Sequence, residues 1–212
     1  MLFKYTFKYI IVGDYNTGKT AITERFINNQ YDNKYISTIG VDYQTKIITI
    51  DDIGIKVCLW DTSGQERFRS ITESYFKNIT CAILTFDLTN YQTFYNLEYW
   101  LKKIREDVKN IEVILIGTKL DNYSNYIVQE TEINNFIKKN KLSYFKTSSK
   151  NNINIDEIFY YSASLILNKI KDKSITPNQF LDCGIRDTEE DINNIINCNN
   201  NKSSQKNCCI IL

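Results

Sequence analysis

Short runs of β-branched and aromatic residues recur along the chain at Tyr9–Val12, Ile47–Ile50, Ile55–Trp60, Cys81–Phe86 and Val113–Ile116, with a weaker one at Tyr144–Phe145. Runs of this length, bounded by polar and turn-forming residues, predict buried strands. Between most of them lie longer segments with apolar residues at helical spacing. These are Lys19–Asn28, Thr93–Asn110 (Phe94, Leu97, Leu101, Ile104 and Val108), Glu130–Asn140 and Ile155–Ile170. Alternating strands and helices predict a parallel sheet with helices on both faces, since parallel neighbours need a crossover connection. Ile47–Ile50 and Ile55–Trp60 are joined only by Asp51-Asp52-Ile53-Gly54, too short to cross over, so this pair is predicted to be an antiparallel hairpin. The expected fold is therefore α/β, a six-stranded, mostly parallel sheet with one antiparallel strand.

From about Asp172 the pattern breaks into scattered charges, Pro177 and the Asn-rich run NCNNNKSSQKN. Such a segment buries too little apolar surface to offset its ordering entropy. The expected division is a folded domain over residues 1–171, a flexible linker over 172–207 and a terminal motif at 208–212. A linker of that length would let the domain stand off its anchor by about 30 Å as a random chain.

Composition narrows the chemistry. The 212 residues suit one core plus an extension, and 26 basic against 25 acidic side chains leave a formal charge of +1. No global field points toward nucleic acid. The start, MLFKYTFKYIIVGD, has an apolar stretch far shorter than a membrane span, and neither a signal peptide nor a transmembrane helix is expected. Of six cysteines, Cys58 and Cys81 lie in strand-like runs, Cys183 and Cys198 in the polar tail, and Cys208 and Cys209 at the end; they read as reduced and cytosolic. The absence of histidine excludes Ser-His-Asp, Cys-His and His-zinc chemistry.

Gly13-Asp14-Tyr15-Asn16-Thr17-Gly18-Lys19-Thr20 matches GxxxxGK[ST] directly after a predicted strand and at the start of a predicted helix, the context in which that motif cradles phosphate. Backbone N–H groups from Gly13 to Ala21 would wrap a β-phosphate, helped by the positive end of the helix. Lys19 would reach the β- and γ-phosphates and the Thr20 hydroxyl would ligate Mg²⁺. Asp61-Thr62-Ser63-Gly64-Gln65-Glu66 closes a strand, placing Asp61 to hold Mg²⁺ through water, Gly64 to offer its N–H to a γ-phosphate and Gln65 to orient an attacking water. Two later segments, Thr118-Lys119-Leu120-Asp121 and Thr147-Ser148-Ser149-Lys150, complete a nucleotide pocket.

With these four motifs and a switch threonine, Thr38 in Tyr35-Ile36-Ser37-Thr38-Ile39-Gly40, the chain resembles the Ras-like small GTPases over roughly its first 170 residues, and Ile39-Gly40-Val41-Asp42-Tyr43 together with Trp60-Asp61-Thr62-Ser63-Gly64-Gln65-Glu66-Arg67-Phe68-Arg69 is most similar to the Rab branch. The resemblance implies a P-loop NTPase fold of the Ras-like type binding GTP or GDP with Mg²⁺. It also implies that Asp121 selects guanine by accepting from N1–H and N2–H. Lys119 would lie along the base, Ser149, within Ser148-Ser149-Lys150, would meet O6, and Tyr31 would shield the base from the side. Thr38 would ligate Mg²⁺ and sense the γ-phosphate, and Tyr35 would close over the phosphates. Ile39, Tyr43, Trp60 and Tyr75 would form a patch read by effectors. The implied function is a monomeric GTP/GDP switch in vesicle-mediated membrane traffic, with an exchange factor, an activator, effectors and prenylation and escort machinery as partners.

The C-terminal Cys209-Ile210-Ile211-Leu212 fits a prenylation signal whose final Leu favours geranylgeranyl, and Cys208 offers a second site. With only Lys202 and Lys206 charged nearby, two lipids are the expected solution for stable anchoring. The expected location is the cytoplasmic face of an intracellular membrane, with a cytosolic escorted pool. The chain departs from the family at Ser63 and Ser149, which replace Ala, over Ser74-Tyr75-Phe76-Lys77-Asn78, and at two positions that bear on the chemistry. Tyr15 stands where relatives keep a small residue, and either obstructs the reacting phosphate or folds outward over the nucleotide. Slow hydrolysis is expected from the first, and the alternative reading is a GTP-binding docking module with vestigial hydrolysis. Thr118 replaces the usual Asn, removing an amide that bridges base and phosphate loop, worth about 1 kcal/mol.

Overall fold

In a computed structural model of the chain, residues 3–32, 37–107 and 111–188 are described. Strand β1 (Tyr5–Gly13) leads into α1 (Lys19–Asn28), and β2 (Val41–Ile50) and β3 (Ile53–Thr62) form the antiparallel hairpin. A two-residue turn, Asp51-Asp52 with φ of +48° and +61°, joins them, the backbone a right-twisted hairpin requires. Then come α2 (Arg69–Ser74), β4 (Cys81–Asp87), α3 (Tyr91–Tyr95), α4 (Leu97–Asp107), β5 (Glu112–Thr118), α5 (Glu130–Asn140), β6 (Ser143–Lys146), α6 (Ile155–Lys171) and β7 (Ile185–Asp187).

The sheet runs β2-β3-β1-β4-β5-β6, parallel except for the hairpin. Alternation along β1 sorts its side chains into two cores. Tyr5, Phe7, Tyr9 and Ile11 pack with Phe26 of α1 and Phe159, Ala163 and Ile166 of α6. Ile10 and Val12 pack on the other face with Trp100 and Ile104 of α4 and Phe136 of α5. Phe26 and Phe159 stack at 3.6 Å and seal the first core behind the phosphate-binding loop.

Two features differ from expectation. The helix expected over Thr93–Asn110 is interrupted at Asn96, which closes α3 before α4 begins; residues 108–110 lie outside the described residues. Among the described residues the sheet has seven strands, because part of the expected linker is folded. β7 pairs antiparallel with β1 in the register Tyr5↔Asp187, Thr6↔Arg186, Phe7↔Ile185. Its place follows from a mismatch in strand length. β4 pairs with β1 only from Tyr9 onward, so the first residues of β1 have unpaired backbone groups on that edge until β7 supplies partners. Phe180 and Ile185 are buried with β1, and Gly184 turns the corner at φ +66° against Asn78, where a Cβ would lie 2.2 Å from the carbonyl oxygen.

Candidate active site

All the loops that carry the sequence motifs leave the same end of the sheet. They enclose a cavity of about 780 Å³ lined by the phosphate-loop residues Tyr15, Asn16, Gly18, Lys19, Thr20 and Ala21, by Thr38 and Gly64, and by Thr118, Lys119, Asp121, Ser149 and Lys150. Tyr31 also contributes to the wall, and Glu24, Asp32, Ser37 and Asn122 line it without having been anticipated. Tyr35, Cys208 and Cys209 lie outside the described residues.

The loop is set by close approach. Gly13 (φ +147°) lies where a Cβ would fall 2.3 Å from the Thr85 carbonyl oxygen, and Gly18 (φ +85°) caps α1. Thr17 is buried and bonds the Asp14 carbonyl and the Thr85 hydroxyl, each at 2.9 Å. The Lys19 ammonium donates to the carbonyls of Gly13 (3.0 Å) and Asp14 (2.7 Å). Burial pushes it down to about 8, against the upward pull of Asp61 and Asp14. An anion with several acceptor oxygens matches this desolvated cation and the helix N-terminus beside it.

Next to it, Thr20 Oγ1 lies 2.7 Å from Thr38 Oγ1 and donates to Asp61 Oδ2 at 2.5 Å. Asp61 Oδ1 is buried without a hydrogen-bond partner. Burial raises the Asp61 carboxyl to about 6, opposed by the Thr20 bond and by Lys19. Two hydroxyls and a carboxylate with an unused oxygen form a hard donor set that fits Mg²⁺, which binds few protein ligands and keeps phosphate and water for the rest. Gly64 packs onto the phosphate loop so tightly that a Cβ would sit 2.3 Å from the Asp14 carbonyl carbon.

At the far end, the Ser148 hydroxyl donates to Asp121 Oδ1 at 2.6 Å, and Lys119 (φ +62°) pairs with the buried Asp87 at 2.6 Å. Thr118 Oγ1 donates to the Phe86 carbonyl at 3.0 Å, so its hydroxyl is satisfied within the sheet. Gln65 does not line the cavity: its side-chain amide donates to Ser37 Oγ and its carbonyl accepts from Arg67 Nε at 2.7 Å.

Sequence reasoning missed two holding groups. The Asp14 carboxylate is held by Trp100 Nε1 at 2.8 Å and Asn96 Nδ2 at 2.5 Å. A carboxylate inside an anion-binding loop is electrostatically misplaced unless it is held aside, and that oddity is a signal readable in the sequence. Arg25 Nε donates to the Ser149 carbonyl at 2.8 Å and its guanidinium lies 5.8 Å from the Tyr31 ring centroid, bracing the base end of the pocket from α1. Only the fold brings Arg25 to that loop.

The model of the Ras family matches residues 8–168. The chain belongs to the Ras family. Within it the similarity is to Rab proteins. It is 36% identical over 168 residues to Ras-related protein Rab-13 of Bos taurus, covering 79% of this chain and 83% of that one. It is 38% identical over 170 residues to Ras-related protein Rab-2B of Dictyostelium discoideum, covering 80% and 84%. It is 34% identical over 211 residues to GTP-binding protein ypt3 of Schizosaccharomyces pombe, covering 98% and 97%. This Ras-family chain is thus a Rab-like small GTPase, of the class that hydrolyses GTP to GDP and phosphate.

In this Rab-like chain the four residues expected to face effectors differ in setting. Ile39 is 81% exposed, Tyr43 is exposed, and Trp60 and Tyr75 are half-buried against the second core. Tyr43 and Trp60 pack 4.7 Å apart, and the Lys8 ammonium lies 5.0 Å from the Trp60 ring centroid.

Proposed function

We propose that the protein is a Rab-like GTP/GDP switch of vesicle-mediated membrane traffic, carried on a membrane by geranylgeranyl groups on Cys208 and Cys209. The observation that carries the nucleotide assignment is convergence: Lys19, Thr20, Thr38 and Asp121 line one cavity, with Asp61 bonded to Thr20 and Ser148 bonded to Asp121 behind them. Thr20, Thr38 and Asp61 would hold Mg²⁺, which when bound supplies positive charge to the β- and γ-phosphate oxygens. Lys19 binds the same phosphates. Asp121 recognises guanine with the oxygen that Ser148 leaves to it. Gln65 orients the attacking water once its side chain leaves Ser37 and Arg67, and Tyr15 slows that step. Thr38 and Gly64 are drawn to GTP and released after hydrolysis, and partners read the difference. The cytosolic escorted pool, the exchange factor, the activator and the effectors belong to the same proposal.

Asp121→Asn tests the base assignment. Asparagine donates where guanine N2–H also donates, while xanthine presents a carbonyl there, so preference should swing from GTP toward XTP by orders of magnitude. Unchanged GTP affinity would refute the role of Asp121. Mass spectrometry of the C-terminal peptide from the native cell tests the anchor, and unmodified Cys208 and Cys209 would refute it.

A further inference from the structure

The phosphate loop carries a negative charge of its own. The Asp14 carbonyl accepts from Thr17 Oγ1 (2.9 Å) and the Lys19 ammonium (2.7 Å), which fixes its main chain inside the loop. Its carboxylate leaves the loop for α4, where Trp100 Nε1 and Asn96 Nδ2 each donate to one oxygen. Both donors are neutral, so the charge is turned aside without being cancelled, and it still acts on the Lys19 ammonium. Behind these donors stands Arg69 of α2. Its guanidinium carbon lies 5.7 Å from the Trp100 ring centroid and 4.7 Å from that of Tyr99, which meets Trp100 edge-on at 5.3 Å. Arg69 Nε is buried without a hydrogen-bond partner, so the ring faces are what hold this nitrogen away from water. A second tie joins the same helices, from Tyr99 Oη to Glu73 Oε1 at 2.7 Å. At its other side α2 reaches the nucleotide pocket, because Thr72 Oγ1 donates to the Ser63 carbonyl at 3.3 Å, next to the Gly64 that packs on Asp14.

We propose that Arg69 is a positioning residue for nucleotide retention: stacked on Trp100, it keeps the indole N–H on Asp14, and when that stack opens the freed carboxylate turns into the phosphate loop and drives the nucleotide out. The inference deepens the switch reading and rests on it. The signs of the charges give the arrangement its direction. A nucleotide needs the Lys19 ammonium for its phosphate oxygens, and a carboxylate swinging inward both repels those oxygens and competes for the same cation. Held against Trp100 and Asn96, the same carboxylate does neither. Retention rather than hydrolysis is the step affected, because Gln65 is bonded to Ser37 and Arg67 and touches none of Arg69, Trp100 and Asp14. Arg69 therefore acts on the bound phosphates from outside the cavity, through one ring and one carboxylate.

The test follows dissociation of a fluorescent GDP analogue from the full-length, unlipidated chain. Arg69→Ala should speed it about 3- to 10-fold, the range expected for loss of a partly desolvated cation–ring contact. Arg69→Lys, which keeps a cation over the rings, should recover part of the retention, and Arg69→Gln repeats the measurement if the alanine variant folds poorly. In ¹⁵N-labelled samples the Trp100 indole N–H signal, identified by its loss in Trp100→Phe, should shift in Arg69→Ala. The deciding comparison is made in an Asp14→Asn background, where the side-chain carbonyl still accepts from Trp100 but the charge is gone. There Arg69→Ala should change the rate by less than about twofold, since coupled residues fail to add. Equal acceleration in both backgrounds would mean that Arg69 only props α4, and would overturn the proposal. So would an unchanged rate in Arg69→Ala and Arg69→Gln. Guanine nucleotide released from the denatured parent chain is quantified first. Its absence would sink the switch reading itself, whereas bound nucleotide with no effect of Arg69 sinks the inference alone.

Discussion

Phe180→Ala removes the ring that fixes the folded-back segment to the domain. Phe180 is 5% exposed and meets Tyr5 edge-on, with ring centroids 6.1 Å apart. If the surroundings stayed in place, losing a buried phenylalanine ring would cost about 3 to 5 kcal/mol. The segment, however, is held from one side only, and the entropy of ordering it opposes docking. Against that stand the burial of Phe180 and Ile185, about 1.5 to 3 kcal/mol each, and a few backbone bonds such as Ile185 N to the Phe180 carbonyl (2.7 Å) and Thr188 N to the Lys4 carbonyl (2.8 Å). Phe180 and Ile185 are the two buried anchors of the segment, so removing the ring takes away a large share of what holds it docked. The variant should release the segment and leave the core without a cavity. Tm should fall by the docking energy alone, about 4 to 10 °C at roughly 2 to 4 °C per kcal/mol for a domain of this size. By hydrogen exchange, the β7 amides should lose protection while those of β4 keep theirs. A chain ending at Lys173 should melt at the same temperature, and Gly184→Ala should reach the same state through its clash with Asn78. Protected β7 amides in Phe180→Ala, or a Tm well below that of the shortened chain, would refute the reasoning.

Trp100→Phe keeps the buried ring but removes the N–H that holds the Asp14 carboxylate; a bond to a charged group is worth about 1.5 to 3 kcal/mol, so a fluorescent GDP analogue should dissociate at least about tenfold faster, and an unchanged rate would show that Asn96 alone suffices. Arg25→Ala frees the carbonyls of Ser149 and Lys150 and should also speed dissociation, while Arg25→Lys should restore only part of it, because a point charge cannot serve both carbonyls as a planar fork does. Tyr15→Gly should raise single-turnover GTP hydrolysis, most of all with a Rab-type activator present; equal rates would mean that the tyrosine lies clear of the reacting phosphate.

The sequence carried most of the fold because its signals were local. α1 and α5 occupy the predicted spans, and the hairpin followed from four residues between two apolar runs. The pocket was legible for a related reason: a phosphate loop must combine glycines, a lysine and a hydroxyl in a short stretch, whatever lies elsewhere in the chain. What escaped depended on residues far apart. Asp14 finds Trp100 and Arg25 finds Ser149 through the packing of α4 and α1, and no spacing encodes those meetings. Gln65 shows a different limit, since its identity marks a role but its bonds to Ser37 and Arg67 belong to one arrangement of a segment built to move.

The folded-back strand shows the physical cause most plainly. Its three residues are too few to reveal a period of two, and Phe180 and Ile185 are single apolar residues in a polar stretch, so composition argued for disorder. Docking was decided by the other partner, an edge of β1 left unpaired because β4 begins opposite Tyr9. A weak segment beside such an edge needs only a few buried side chains and a glycine at its corner to order. The same event moves the start of any tether from residue 172 to beyond Thr188 and adds Arg186 to the face beside Tyr43 and Trp60. If the proposed lipid anchor holds, the reach of the tether and the charge on this face are set together, and releasing the segment should lengthen the tether as it removes the cation.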